Sequence, residues 1–176
     1  MKISIIGYSA SGKSTFAKKL ASHYQLPVLH LDTIYFKANM EVEDRQLTEI
    51  KIRDFMKQDT WIIDGTYRYL ALERFDKCDQ LFIFNMNRFT SFFGLLRRYK
   101  RYKNKQRDTM ALGNPEKLDL SFIKWIMWEG RLKNSKDLFK SLIKKHQHKV
   151  VVFNNRRQVK KHLISIGFKG SLDYTG

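Results

Sequence analysis

Residues 7–15 read GYSASGKST and lie between the apolar run ISII (3–6) and the segment KSTFAKKLASHY (13–24). Gly7, Gly12, Lys13 and Ser14 satisfy the spacing G-x-x-x-x-G-K-[ST], and the flanks supply the strand and the helix that this spacing requires. Phe16, Leu20 and Tyr24 recur every four residues with lysines opposite, the pattern of an amphipathic helix. Such an opening commits the chain to a strand, a tight turn and a helix. The glycines let the backbone N–H groups of the turn (Ser9, Ala10, Ser11) converge on phosphate oxygens, and the helix presents its positive end to the same anion. In that reading Lys13 contacts the outer phosphates of ATP, Ser14 ligates Mg²⁺ and Thr15 reaches an inner phosphate. The competing reading is a chance glycine turn, which has no need of those flanks.

Four further apolar runs have the length and β-branched content of buried strands: PVLHL (27–31), WIID (61–64), LFIF (81–84) and KVVVF (149–153). Helical segments lie between them, which predicts an α/β fold with a parallel sheet covered on both faces. A length of 176 residues suits one domain spanning 1–176. Residues 41–57, with Glu41/Arg45 and Glu49/Arg53 at i,i+4, predict an exposed helix in a small insert at about 35–58. The interval 85–148 predicts at least two helices joined by a basic link, with LGNPE punctuating its middle. Phe122, Trp125, Ile126 and Trp128 read as the buried stripe of one of these helices.

Charge narrows the choice of partners. Lys and Arg total 34 against 17 Asp and Glu, a formal charge of +17, so anionic partners are expected: nucleotides, nucleic acid or an acidic membrane surface. The single cysteine, Cys78, excludes an internal disulfide and a thiolate cluster within one chain, and no base accompanies it. No apolar run approaches the roughly 20 residues that span a bilayer, and the first residues carry no signal-peptide core. A reducing cytoplasm is the expected location.

Asp64 closes the third apolar run, where a carboxylate can hold a water of the Mg²⁺ shell; a cap or turn acid before Gly65 is the alternative. Arg68 meets an anion near the same edge or is a solvated surface cation. Asp32, after the second run, orients an acceptor hydroxyl or caps the next segment. His30 reads as a satisfied core residue rather than a base. Residues 97–107, RRYKRYKNKQR, hold seven cations and no acid. They form a lid that neutralises charge on a transferred phosphoryl group, or a nucleic-acid patch in which Tyr99 and Tyr102 stack bases, or a solvated helix face.

Taken together, GYSASGKST, LPVLHLDTIYF, WIIDGTYR, CDQLFIFNMNR and RDTMALGNPEKLDLSFIKWIMWE resemble the topology modulation protein (FlaR-related) family, kinases akin to adenylate and shikimate kinases. The resemblance covers most of the chain, from Met1 to about Gly167. It implies a three-layer P-loop NTPase core with five parallel strands ordered 2-3-1-4-5, an acceptor-binding helical insert and an arginine-bearing lid at about 97–116. It also implies that Lys13, Ser14 and Asp64 fall on the ATP·Mg²⁺ site and that Asp32 and Arg68 face the acceptor. Arg97, Arg98, Arg101 and Arg107 then fall in or near the lid, and the NNRR loop with Asn154 and Arg156 lies where adenine is held. Such relatives carry an Asp and then a Pro after the fourth strand, where this chain reads Asn85 and Asn87.

The favoured expectation is an ATP- and Mg²⁺-dependent phosphotransferase acting on a small molecule, with nucleoside monophosphates as the first acceptor class and other hydroxyl-bearing metabolites second. The alternative is an ATP-binding, nucleic-acid-associated protein that affects DNA topology, and a polynucleotide kinase would combine the two.

Overall fold

The computed structural model describes residues 1–103 and 105–173; Asn104, inside the basic run, and residues 174–176 lie outside the described residues. In chain order the elements are β1 (Lys2–Gly7), α1 (Lys13–Tyr24), β2 (Val28–His30), α2 (Asp32–Tyr35), α3 (Arg45–Phe55), β3 (Trp61–Asp64), α4 (Glu73–Lys77), β4 (Gln80–Phe84), α5 (Arg88–Tyr102), α6 (Leu120–Met127), α7 (Lys133–Lys145), β5 (Val150–Phe153) and α8 (Arg156–Ser165). Short 3₁₀ turns lie at Ala38–Met40 and Glu129–Arg131. All five strands are parallel and ordered β2-β3-β1-β4-β5, so each of the five apolar runs is a strand and the expected α/β sheet forms.

Burial explains why such short runs suffice. Successive residues of a strand face opposite sides of the sheet, and here both sides are apolar. Ile3, Ile5, Ile62, Phe82 and Phe84 meet Phe16 and Leu20 of α1 and Val159 and Leu163 of α8 on one face. Ile6, Ile63, Leu81 and Ile83 meet Ile52 of α3, Phe75 of α4 and Phe139 and Leu142 of α7 on the other. Each fully buried Ile or Phe stabilises by about 1.5–3 kcal/mol relative to exposure. The Phe16 ring sits 5.0 Å from Phe82 and 5.3 Å from Phe84, which pins α1, and with it the loop ahead of it, to the sheet.

Two helical expectations need correction. Of the 120s stripe only Ile126 is buried; Trp125 and Trp128 are 42% and 54% exposed. Helix α6 is only eight residues long and packs along α5, so one side of it reaches the core while Phe122 stacks on Trp125 with ring centroids 5.8 Å apart. In the insert, Glu49 pairs with Arg53 at 2.7 Å as expected, but Arg45 turns to the same Glu49 at 3.1 Å rather than back to Glu41. No helix among the described residues is long and apolar enough to cross a membrane.

Candidate active site

The loop after β1 is shaped by close approaches that side chains would forbid. Gly7 has φ +146°, and a Cβ there would stand 2.5 Å from Phe84 of β4. Ala10 and Gly12 also have positive φ, which bends the chain into α1 within a few residues. On the outside, Gly94 of α5 lies against the loop: a Cβ at Gly94 would be 2.2 Å from the Ala10 carbonyl oxygen. Thr66 braces the start of the loop, its Oγ1 accepting from Gly7 N at 2.8 Å and donating to Gly7 O at 2.7 Å.

The carboxyl ends of β2 and β3 bring His30 and Asp64 near Lys13, the first residue of α1. Lys13 Nζ donates to the Tyr8 carbonyl at 3.0 Å. Burial lowers the Lys13 pKa, against the pull of Asp64 and Asp32, which favour its charge. Asp64, almost fully buried, has its Oδ2 2.9 Å from His30 Nδ1. Burial pushes the Asp64 carboxyl up, but His30, the Lys13 charge and the Ser14 hydroxyl together hold it below its ordinary value. His30 is thus a satisfied buried residue, as expected, and its partner is Asp64, the carboxylate expected to serve Mg²⁺.

Over the loop opens a cavity of about 390 Å³ lined by Ser9, Ala10, Gly12, Lys13, Ser14 and Thr15 and also by Asp32, Gly94, Arg98, Arg101, Arg107 and Arg156. Of the arginines expected in the lid, Arg98, Arg101 and Arg107 line it, whereas Arg97 is exposed on α5 and is not among the lining residues. Ser11 is buried in the loop. Asn154 is exposed, accepting from Asn85 Nδ2 at 2.9 Å, while Arg156 reaches the cavity.

The segment after α5 is folded against the rest of the molecule. Glu116 is buried and pairs with Arg98 and with Arg107, each at 2.7 Å. Asp108 pairs with Lys18 of α1 at 2.5 Å. Asn114 ties this segment to the insert, its Oδ1 accepting from Met40 N at 2.6 Å and its Nδ2 donating to Lys37 O at 2.7 Å.

A second cavity, about 330 Å³, adjoins the first and shares Ser9 with it. Its walls include Tyr35, Tyr67, Tyr69, Trp125, Arg45 and Arg68. Between the two stands one hydrogen bond: the Tyr67 hydroxyl donates to Asp32 Oδ1 at 2.5 Å. Burial first, and then the Asp32 charge, raise the Tyr67 pKa far above its ordinary value, so it remains a donor. Thus Asp32 borders the first cavity and Arg68 the second, and Tyr67 links them. Sequence reasoning missed Tyr67, Thr66, Gly94 and Glu116. Tyr67 and Thr66 carried a signal, since they follow Asp64 directly in WIIDGTYR; Gly94 and Glu116 carried none.

The residues present fit ATP and Mg²⁺. The Oγ of Ser11 and the Oδ1 of Asp64 are buried without a hydrogen bond of good geometry among the described residues. Unpaired buried polar atoms are costly unless a ligand or its water satisfies them. Among the described residues no group of three His, Cys, Asp or Glu can hold a metal on its own. Ser14 with Asp64 is instead the sparse oxygen set that Mg²⁺ accepts when phosphates complete its shell.

No protein-family model matches this chain, and no curated protein is similar to it.

Proposed function

We propose that this protein is a kinase that transfers the γ-phosphoryl group of ATP, with Mg²⁺, to a small-molecule acceptor. The observation that carries the proposal is the first cavity, in whose walls a glycine-turned loop and Lys13 come together with Arg98, Arg101 and Arg107. Phosphoryl transfer asks little covalent chemistry of a protein; it asks for positioning and for fixed positive charge around the moving group. Loop N–H groups and Lys13 bind and orient the phosphates. Ser14 and Asp64 would hold Mg²⁺, which would supply positive charge to offset that of the phosphates. Glu116 holds Arg98 and Arg107 in place through its two ion pairs. The resemblance to the topology modulation protein family supports the same assignment, and the buried Cys78, its thiol pushed up to about 11 by burial, suits a cytoplasmic protein with no thiol chemistry. Calorimetry with ATP and Mg²⁺ tests the proposal: binding is expected in the native protein and lost in Lys13→Ala, and equal behaviour of the two would sink it.

One observation favours nucleic-acid contact as a second activity. Tyr99 and Tyr102, the expected stacking platforms, are only partly exposed, and Tyr102 lines the first cavity. Phe89 and Phe93 of α5, however, are 62% and 56% exposed, and Arg97 and Lys100 are exposed further along the same helix. Aromatic faces beside cations suit single-stranded nucleic acid. If α5 works this way, oligonucleotide binding falls steeply with salt and weakens in a Phe89→Ala/Phe93→Ala variant. Binding that is unchanged by the double substitution excludes α5 as the platform.

A further inference from the structure

We infer that the second cavity takes an acceptor built on a planar aromatic ring and phosphorylated on a hydroxyl, a nucleoside rather than a nucleoside monophosphate. The inference rests on the phosphotransferase proposal and narrows its acceptor.

The reacting end of the acceptor must lie where the two cavities meet, at Ser9 and at the Tyr67–Asp32 bond. Both groups of that bond suit an alcohol. The Asp32 carboxylate accepts a hydrogen bond from a hydroxyl and takes its proton; the same carboxylate repels a phosphate dianion brought to the same point. Arg98, Arg101, Arg107 and Arg156 line the first cavity, on the other side of this boundary. Within the second cavity the charges are already matched: Glu43 with Lys37 at 2.9 Å, Arg45 with Glu49 at 3.1 Å and Glu129 with Lys124 at 3.3 Å. Arg68 has no carboxylate within ion-pair distance among the described residues, but its guanidinium donates to the Tyr69 hydroxyl at 2.7 Å and lies over that ring at 5.2 Å. A single arginine engaged with a phenol is a poor cradle for a phosphate dianion.

The remaining walls are aromatic. Tyr35 and Tyr67 pack with ring centroids 4.3 Å apart, and Trp125 stays 42% exposed beside them. An exposed tryptophan lining a concavity of about 330 Å³ fits a flat, nucleoside-sized ring. In the transfer, the acceptor oxygen forms a new bond to the γ-phosphorus as the bond from that phosphorus to its bridging oxygen breaks. The electron pair leaves with ADP, and the hydroxyl proton passes to Asp32.

The test titrates the four common ribonucleosides, their 5′-monophosphates and inositol against the full-length protein, by calorimetry and by Trp fluorescence, with and without ATP·Mg²⁺. At least one nucleoside is expected to bind about ten-fold tighter than its monophosphate and to quench fluorescence, and Trp125→Phe should diminish the quench and weaken the binding. Asp32→Asn should lower transfer to that nucleoside by about 100-fold or more with its binding little changed, and Tyr67→Phe should lower transfer less. Tighter binding of the monophosphates, binding of inositol alone, or no binding by any compound while ATP still binds through Lys13 would each overturn the inference and leave the kinase proposal standing. Failure of ATP itself to bind removes both.

Discussion

His30 and Asp64 face each other across β2 and β3 in register, with His30 Nδ1 2.9 Å from Asp64 Oδ2 and both side chains buried. The pair fixes the Asp64 carboxylate near Lys13, whose charge Asp64 favours. A buried carboxylate deprived of its partner carries the full cost of its lost solvation.

His30→Ala should therefore destabilise the protein by about 2 kcal/mol. It should also weaken Mg²⁺-dependent ATP binding, because Asp64 loses its orientation. Urea denaturation and calorimetry measure the two effects. An unchanged stability would mean that water replaces the imidazole without loss.

Gly94→Ala tests how closely α5 presses on the loop. The added Cβ would meet the Ala10 carbonyl oxygen at 2.2 Å, a backbone atom that cannot swing aside. Either the helix or the loop must shift, at a cost of about 1–3 kcal/mol. ATP affinity should fall with it, although residue 94 carries no functional group. Native affinity in a folded Gly94→Ala protein would show that the loop yields freely.

Glu116→Ala leaves Arg98 and Arg107 without their shared carboxylate, each having been paired to it at 2.7 Å. Breaking a buried pair by removing one partner costs about 3 kcal/mol or more. Burial already lowers the Arg98 pKa, and Glu116 opposes that shift, so the substitution acts on a cation that is poorly solvated. Differential scanning calorimetry should register a clear drop in Tm. Added ATP should recover part of it, because phosphates can replace the carboxylate as the anion between the two arginines. A loss of Tm that ATP leaves untouched would separate Glu116 from the nucleotide cavity.

The sheet was legible because its signal is local. Runs such as ISII and WIID are strands by composition alone, and a parallel core buries both faces of each. The loop between β1 and α1 was legible for the same reason: Gly7, Gly12, Lys13 and Ser14 mark the strand, tight turn and helix within eight residues. What could not be read depends on contacts between distant segments. Glu116 meets Arg98 across 18 residues, Tyr67 meets Asp32 across 35, and Gly94 meets Ala10 across 84, and in each case one residue alone gives no sign of the other. The tryptophans misled because spacing tells which residues share a helix face but not what covers that face, and here Trp125 lines a cavity.

The insert offers a test by acid. Glu43 accepts from Lys37 Nζ at 2.9 Å and from the Asp44 backbone N–H at 2.9 Å, and Lys51 lies 3.5 Å away. The Lys37 bond first, then the Asp44 N–H, lower its pKa from 4.5 to about 2. A carboxyl whose folded pKa is depressed binds its proton more readily once unfolded. Its stabilising effect is therefore complete above about 4.5 and disappears as the pH falls through about 2. Glu43→Gln removes the ionisable group without changing its size. Denaturation midpoints of native and Glu43→Gln proteins should differ at pH 7, by a small amount because these ion pairs are open to water, and should converge near pH 2. Curves that stay apart at pH 2 would trace the effect to the shape of the amide rather than to the charge of Glu43.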